Sequence, residues 1–273
     1  MKNDPFSEVK ASFRKIYQAV ERLSDDEILN GEEDRFRPYL DRLNQMVAMD
    51  VEDNLVQALL KDNDLKEMIG PIARIKRLHS IRMEIRQALN VIQSADPWEA
   101  LARFVYYLNY LELAQMECTG ADLNPGDKVV FIGSGPLPLS LILLCKHHNI
   151  YGIGLEKNRQ YMTLARDLID ALGLFPRIRI IHGDHNLLPL KTECRLVMVG
   201  AEALPKEEIF NHLARVLPQK AKLSYRIFEK GLRRLLDDQS AFVLPSAFTE
   251  YVRMRPEPPV NNTVVLLIKE SPS

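Results

Sequence analysis

The chain has 273 residues, enough for one or two domains. Apolar residues at 46% and charged residues at 27% are ordinary for a folded soluble protein. Lys+Arg 36 against Asp+Glu 37 leaves a net charge of -1, so there is no cationic excess to coat DNA or RNA, and a small-molecule partner fits better. Cys118, Cys145 and Cys194 stand far apart with no CxxC pair, which suits free thiols in a reducing cytosol. The opening MKNDPFSEVKASF lacks the apolar core of a signal peptide. The most apolar run, Val129–Cys145, is broken by glycines and prolines and reads as strand, turn and helix, not as a membrane span. A cytoplasmic protein with no nucleic-acid or membrane partner is expected, and the oligomeric state is open between monomer and homodimer.

Residues 1 to about 119 read as a helical N-terminal domain. Segments near Phe6–Leu23, Asp34–Met49 and Val51–Lys61 alternate charged and apolar residues at helical spacing. Leu65–Gln93 is mostly one long helix, with an early interruption expected at Gly70-Pro71. Its apolar stripe is Leu78, Ile81, Ile85, Ala88, Leu89 and Ile92. Asp96 is an N-cap and Pro97 a first helical residue for a further helix reaching about Cys118 and ending near Gly120.

Residues 120–273 read differently. Lys128–Ile132, Tyr151–Leu155, Arg177–Ile181, Leu196–Val199, Lys222–Tyr225 and Asn262–Lys269 are short apolar strands. Helices over Leu139–His148, Tyr161–Leu172 and Lys206–Val216 fall between them, and Arg255–Val260 is a Pro-rich loop. Such alternation implies βαβ units and a mostly parallel sheet, an α/β Rossmann-like domain after an all-helical one.

Ligands of doubly wound sheets bind outside the carboxyl ends of the strands. The first strand runs into Gly133-Ser134-Gly135-Pro136, where two glycines allow a tight turn and close approach of a ligand. The second ends at Glu156, a carboxylate able to accept both hydroxyls of an adenosine ribose. The third is followed by Gly183-Asp184-His185, and an acid there commonly faces the adenine amino group in S-adenosylmethionine enzymes. Pro136 and Pro138 remove backbone donors where a pyrophosphate would need them, which argues against a dinucleotide and for S-adenosylmethionine. Phe131 stands where methyltransferases usually place a carboxylate, two residues before the first glycine. The amino acid end of the ligand is therefore expected to sit differently, presenting a different carbon on sulfur. The histidines of His182-Gly183-Asp184-His185 and His147-His148 have no third ligand at a diagnostic spacing, so no metal is expected.

FIGSGPLPLS at Phe131–Ser140 resembles the nicotianamine synthase family, as do SADPWE at Ser94–Glu99, NYLEL at Asn109–Leu113 and VNNT at Val260–Thr263. The matches fall in the family's order over about residues 78–268. The resemblance implies a helical N-terminal domain and a transfer of the 3-amino-3-carboxypropyl (aminobutyrate) arm of S-adenosylmethionine to an amino acid amine. 5'-Methylthioadenosine is released and the products are metal-chelating metallophores. Plant and archaeal members repeat the transfer; a bacterial branch makes one transfer onto histidine, towards opine metallophores. A small-molecule methyltransferase and a degenerate nucleoside-binding module are the competing readings.

The resemblance also nominates residues. A catalytic glutamate falls on Glu84 and a tyrosine on Tyr110, preceded here by Leu108-Asn109 where the family often has Pro-Arg. Ser224–Arg233 resembles a segment with an arginine and a Gly-x-Arg, which places Arg226 and Arg233, with Asn262, on substrate carboxylates. The chemistry has a place for Glu84, because an ammonium acceptor must lose a proton before it attacks, and a desolvated carboxylate can take it. Without the resemblance, Glu84 reads equally as a solvated helix glutamate and Tyr110 as a core aromatic.

Overall fold

The computed structural model describes residues 4–49, 51–188, 194–229, 231–237, 242–257 and 260–270. Parts of two sequence features, the Pro-rich loop at 258–259 and residue 230 of the Ser224–Arg233 segment, lie outside these. The chain divides into two compact units: Met1–Met83 with Phe228–Ala241, and Glu84–Ile227 with Phe242–Ser273. The change from helices to strands comes later in the chain, between Ala121 and Lys128.

The smaller unit is helical, with α1 (Pro5–Val20), α2 (Asp25–Leu29), α3 (Arg37–Val47), α4 (Asp53–Lys61), the first part of α5 (Asn63–Gln93) and a single turn at Arg233–Leu236. Its starts are capped as the residue types dictate: Asp4 accepts from the Ser7 N–H, and Ser24 with Glu27 forms a capping box. Phe13, Ile16, Ile28, Leu43, Leu59, Leu65, Ile72 and Ile75 lie in its core. Arg82 closes the end of α2, donating from Nη1 to Ile28 O at 2.9 Å and from Nη2 to Gly31 O at 2.8 Å. The interruption expected at Gly70-Pro71 is absent: α5 runs through Pro71. Ile69, Ile72 and Ile75 are all buried around it, so packing on both sides outweighs the hydrogen bond that proline cannot donate.

The larger unit takes the rest of α5, then α6 (Pro97–Ala102) and α7 (Tyr107–Ala121). Asp96 caps α6 by accepting from the Glu99 N–H at 3.0 Å, with Pro97 at the first turn. The strands are β1 (Lys128–Ile132), β2 (Tyr151–Glu156), β3 (Ile178–His182), β4 (Leu196–Val199), β5 (Lys222–Ile227), β6 (Phe248–Met254) and β7 (Thr263–Lys269). Between them lie α8 (Leu139–His148), α9 (Arg159–Ala171) and α10 (Lys206–Val216). The sheet order is β3-β2-β1-β4-β5-β7-β6; β1 to β5 run parallel, and β7 is antiparallel to both β5 and β6. This is a Rossmann-like α/β sheet. Strand β6 has no sequence counterpart above, because Thr249, Glu250 and Tyr251 are exposed on an edge strand with no continuous apolar face.

Two consequences position the site. Strand order reverses at β1, which lies between β2 and β4, so the ligand crevice opens beyond its carboxyl end. Because β7 is antiparallel, its first residue, Thr263, pairs with Ile227 at the carboxyl end of β5, which brings Asn262 to that same edge. No helix among the described residues is long and apolar enough to cross a membrane.

Candidate active site

The turn after β1 is held to β2 by its backbone. The N–H groups of Gly133 and Ser134 both donate to Leu155 O, at 2.9 and 3.1 Å. Gly133 and Gly135 adopt φ values of +73° and +71°, which L side chains rarely take. At Gly133 space forbids a side chain as well, since a Cβ there would lie 2.7 Å from the Ala203 Cβ; a Cβ on Gly135 would lie 3.2 Å from Oε2 of Glu84, a tight contact. The expected turn and the expected catalytic glutamate therefore meet directly. Ser134 takes part through its backbone. Its side chain is buried towards β2, where a Cβ on Gly154 would stand 2.8 Å from Ser134 Oγ. Pro138 caps α8 without a side-chain hydrogen bond, and Pro136 is buried beside the turn.

Glu156 is buried and locks the turn from the side of β2. Its Oε2 accepts from the Gly135 N–H at 2.9 Å and its Oε1 from the Asn158 N–H at 2.7 Å. Each oxygen keeps a second lone pair for a ribose hydroxyl. Asp184, after β3, is exposed; its Oδ1 accepts from the backbone N–H and the side-chain amide of Asn186, which holds its carboxyl below the usual range.

Glu84 sits on α5 one turn before Ala88 and two before Val91, both fully buried, so it stands on the inward face of the helix. The stripe read from sequence is rotated accordingly: Leu89 is exposed and Val91 takes its place inside. Burial, then the neighbouring carboxylates of Glu202 and Glu156, push the Glu84 carboxyl up to about 8. Burial also raises the Tyr110 hydroxyl, reinforced by Glu84, and keeps it a proton donor. Glu202 was not among the residues expected from sequence. The signal was available: it follows β4, and the carboxyl ends of all the parallel strands face one crevice.

Arg226, near the end of β5, lies with its guanidinium carbon 5.6 Å from the centre of the Tyr110 ring. The fork expected to be offered to a substrate carboxylate is taken by Glu117 of α7: Nε donates to Oε1 at 3.1 Å and Nη2 to Oε2 at 2.9 Å. Nη2 also donates to Ser140 Oγ at 2.9 Å. The pair is buried and mutually neutralised, so the Arg226 guanidinium is committed to Glu117. Asn262 is partly exposed at the start of β7, while Arg233 belongs to the smaller unit, where burial lowers its pKa. Among the described residues no group of three or more His, Cys, Asp or Glu side chains is arranged to hold a metal ion.

A family model described as nicotianamine synthase protein matches residues 7–273. Nicotianamine synthase 3 of Oryza sativa subsp. indica is 32% identical over 145 residues, covering 48% of this chain and 42% of that protein. Nicotianamine synthase 1 of Hordeum vulgare is 25% identical over 203 residues, covering 69% of this chain and 62% of that protein. The chain thus spans less than two thirds of the length of these curated relatives. The crystal structure of MtNAS in complex with MTA and tNA aligns with a TM-score of 0.81 at 26% identity, over 96% of this chain and 98% of that chain. A mutant of MtNAS in complex with S-adenosylmethionine gives the same TM-score and identity.

The raised Glu84 carboxyl predicts a pH dependence of stability. A carboxyl moved from 4.5 to about 8 on folding binds more protons in the native state, so its contribution is complete below about pH 4.5 and is lost as pH rises towards 8. Glu84→Gln removes that loss. Thermal denaturation of the unliganded proteins is expected to give equal Tm values near pH 4.5 and a higher Tm for the variant above pH 8. Parallel Tm profiles at all pH values would mean that Glu84 titrates normally.

Proposed function

The chain belongs to the nicotianamine synthase family, and from that premise we propose that it moves the 3-amino-3-carboxypropyl group of S-adenosylmethionine to an amino acid amine, towards a metallophore. The observation that carries this reading is the approach of the Glu84 carboxylate to Gly135, with a Cβ there only 3.2 Å from Oε2. A base lies against the turn that would cradle the nucleoside.

In this reading the nucleoside lies over β1, β2 and β3. The turn Gly133–Pro136 supplies the floor, Glu156 accepts the ribose hydroxyls, and Asp184 faces the adenine amino group. S-Adenosylmethionine is a co-substrate, and its positive sulfonium suits an edge rich in carboxylates where a phosphate does not. The acceptor amine enters as an ammonium, loses a proton to Glu84 and attacks the carbon that joins sulfur to the aminocarboxypropyl arm. A C–N bond forms, the C–S bond breaks, and its electron pair goes to sulfur, leaving neutral methylthioadenosine. The methyl carbon is less hindered, so selectivity rests on holding the amine about 3–3.5 Å from the other carbon and in line with sulfur.

Tyr110 orients the amine through a hydroxyl that stays protonated, and its ring faces positive charge favourably. Arg226 reaches a substrate carboxylate only through Nη1, the guanidinium nitrogen that Glu117 and Ser140 do not use. Asn262, at the same edge of the larger unit, is the further candidate for such carboxylates.

Two measurements test the reading. Mass spectrometry of reactions with S-adenosylmethionine and a panel of amino acids is expected to find methylthioadenosine and one aminobutyrate adduct, which names the acceptor. S-Adenosylhomocysteine as the by-product would instead mean methyl transfer. In the same assay Glu84→Gln is expected to lower turnover by roughly 10²–10⁴-fold, the scale of general-base catalysis, with partial recovery at high pH. Near-normal turnover at neutral pH would place the base elsewhere.

Glu156→Ala is expected to weaken S-adenosylmethionine binding by about 1.5–3 kcal/mol, the usual worth of hydrogen bonds to a charged group. Calorimetry showing unchanged affinity would remove Glu156 from the nucleoside site.

A further inference from the structure

A guanidinium has five N–H donors in one plane, and it offers a carboxylate two bidentate edges: Nε with Nη2, and Nη2 with Nη1. In Arg226 both edges are taken. Glu117 fills the first, with Nε donating to Oε1 at 3.1 Å and Nη2 to Oε2 at 2.9 Å. Ser140 closes the second, because Nη2 also donates to its Oγ at 2.9 Å. The two N–H groups of Nη1 are the ones left without a protein partner among the described residues.

The clamp joins three elements. Glu117 lies on α7, Ser140 at the start of α8, and Arg226 with Ser224 on β5. Ser224 Oγ adds a bond of 3.5 Å to Glu117 Oε1. All four side chains are buried. The guanidinium lies over the Tyr110 ring, within cation–π reach, and Tyr110 stands on the same helix as Glu117, about two turns earlier. One helix therefore fixes both an edge and a face of the guanidinium. A buried ion pair is weak evidence for stability, since both charges lose their water. The geometry gives it another use. A free arginine would bind a carboxylate through a full fork; this one is held so that a single nitrogen meets it in a single place. Affinity is given up and position is gained. Tighter ground-state binding does not raise kcat, whereas holding an amine in line with one carbon of the sulfonium does.

We infer that Glu117 and Ser140 are positioning residues, which hold Arg226 so that a substrate carboxylate meets Nη1 alone and its amino acid end lies in one register. This rests on the transferase reading and extends it to two residues that touch no substrate. The acceptor and the aminocarboxypropyl arm both carry such a carboxylate, and the choice of ligand separates them.

Glu117→Gln keeps the size of the side chain but sets an amide donor against a donor of Arg226, which opens the fork. In the full chain, kcat for methylthioadenosine formation is expected to fall about tenfold or more, because the substrate settles out of line. The molecule whose carboxylate is read is expected to bind several-fold more tightly, because it gains a bidentate contact with an arginine no longer neutralised. For the donor, calorimetry reads this with S-adenosylmethionine, while methylthioadenosine, which lacks the arm, stays unchanged. For the acceptor, it appears as a lower KM for the amino acid of the panel above that forms the adduct. A purely structural role would raise neither affinity. Ser140→Ala leaves the ion pair intact and is expected to show the same two changes in smaller measure; it serves instead if the circular dichroism of Glu117→Gln departs from the wild type. Wild-type kcat in a folded variant, or a lower kcat with no affinity gained, overturns the inference and leaves the transferase reading intact. A wild type that forms no methylthioadenosine overturns both.

Discussion

The candidate site depends on a desolvated carboxyl, that of Glu84, set beside other carboxylates. Glu84, Glu156 and Glu202 gather beside the carboxyl end of β1, and Arg226, the cation lying over the nearby Tyr110 ring, is already paired with Glu117. Desolvation of the Glu84 carboxyl, reinforced by the neighbouring carboxylates of Glu202 and Glu156, makes its ionisation costly, so it holds its proton to near pH 8. A positive charge brought beside Glu84 favours its ionised form. A sulfonium and an ammonium entering the site would restore ionisation at Glu84 at the moment a base is needed.

The surroundings keep this arrangement in place. Glu156 spends one lone pair of each oxygen on backbone N–H groups of the turn and of the loop after β2, so the residue proposed to bind the ribose is also a structural anchor. Lys206 fastens the loop after β4, and the buried Glu117–Arg226 pair fixes the guanidinium over the Tyr110 ring. Each device joins a residue at the sheet edge to backbone or to a buried partner, which is how a constellation is held to the tolerance that catalysis requires.

Much of this was legible in the residues alone. The strands β1 to β5 and β7 announce themselves as apolar runs between glycines and prolines, and the GSGPLPL string marks both the turn and its family resemblance. What stayed hidden has physical reasons. Pro71 was read as a break because local propensity says so, yet flanking isoleucines bury the helix through it. Strand β6 lies at an edge and carries no alternating apolar face. The inward face of α5 could not be fixed to the residue from periodicity, so without the family resemblance Glu84 reads equally as a solvated helix glutamate, although it lines up with Ala88 and Val91. Arg226 looked available because nothing in the spacing reveals that Glu117, more than a hundred residues earlier, takes its fork. Glu202 was overlooked because no motif marks it; only strand topology brings it to the turn.

The raised carboxyl of Glu84 is tested most directly by counting protons. Near pH 7 the empty site holds Glu84 mostly protonated, and a bound cation lowers its pKa. Calorimetric titration of S-adenosylmethionine, in buffers of different ionisation enthalpy at pH 7, is predicted to show release approaching one proton per ligand. Glu84→Gln is predicted to abolish that release. Proton uptake on binding, or a release that persists undiminished in Glu84→Gln, would contradict a site built around a protonated Glu84.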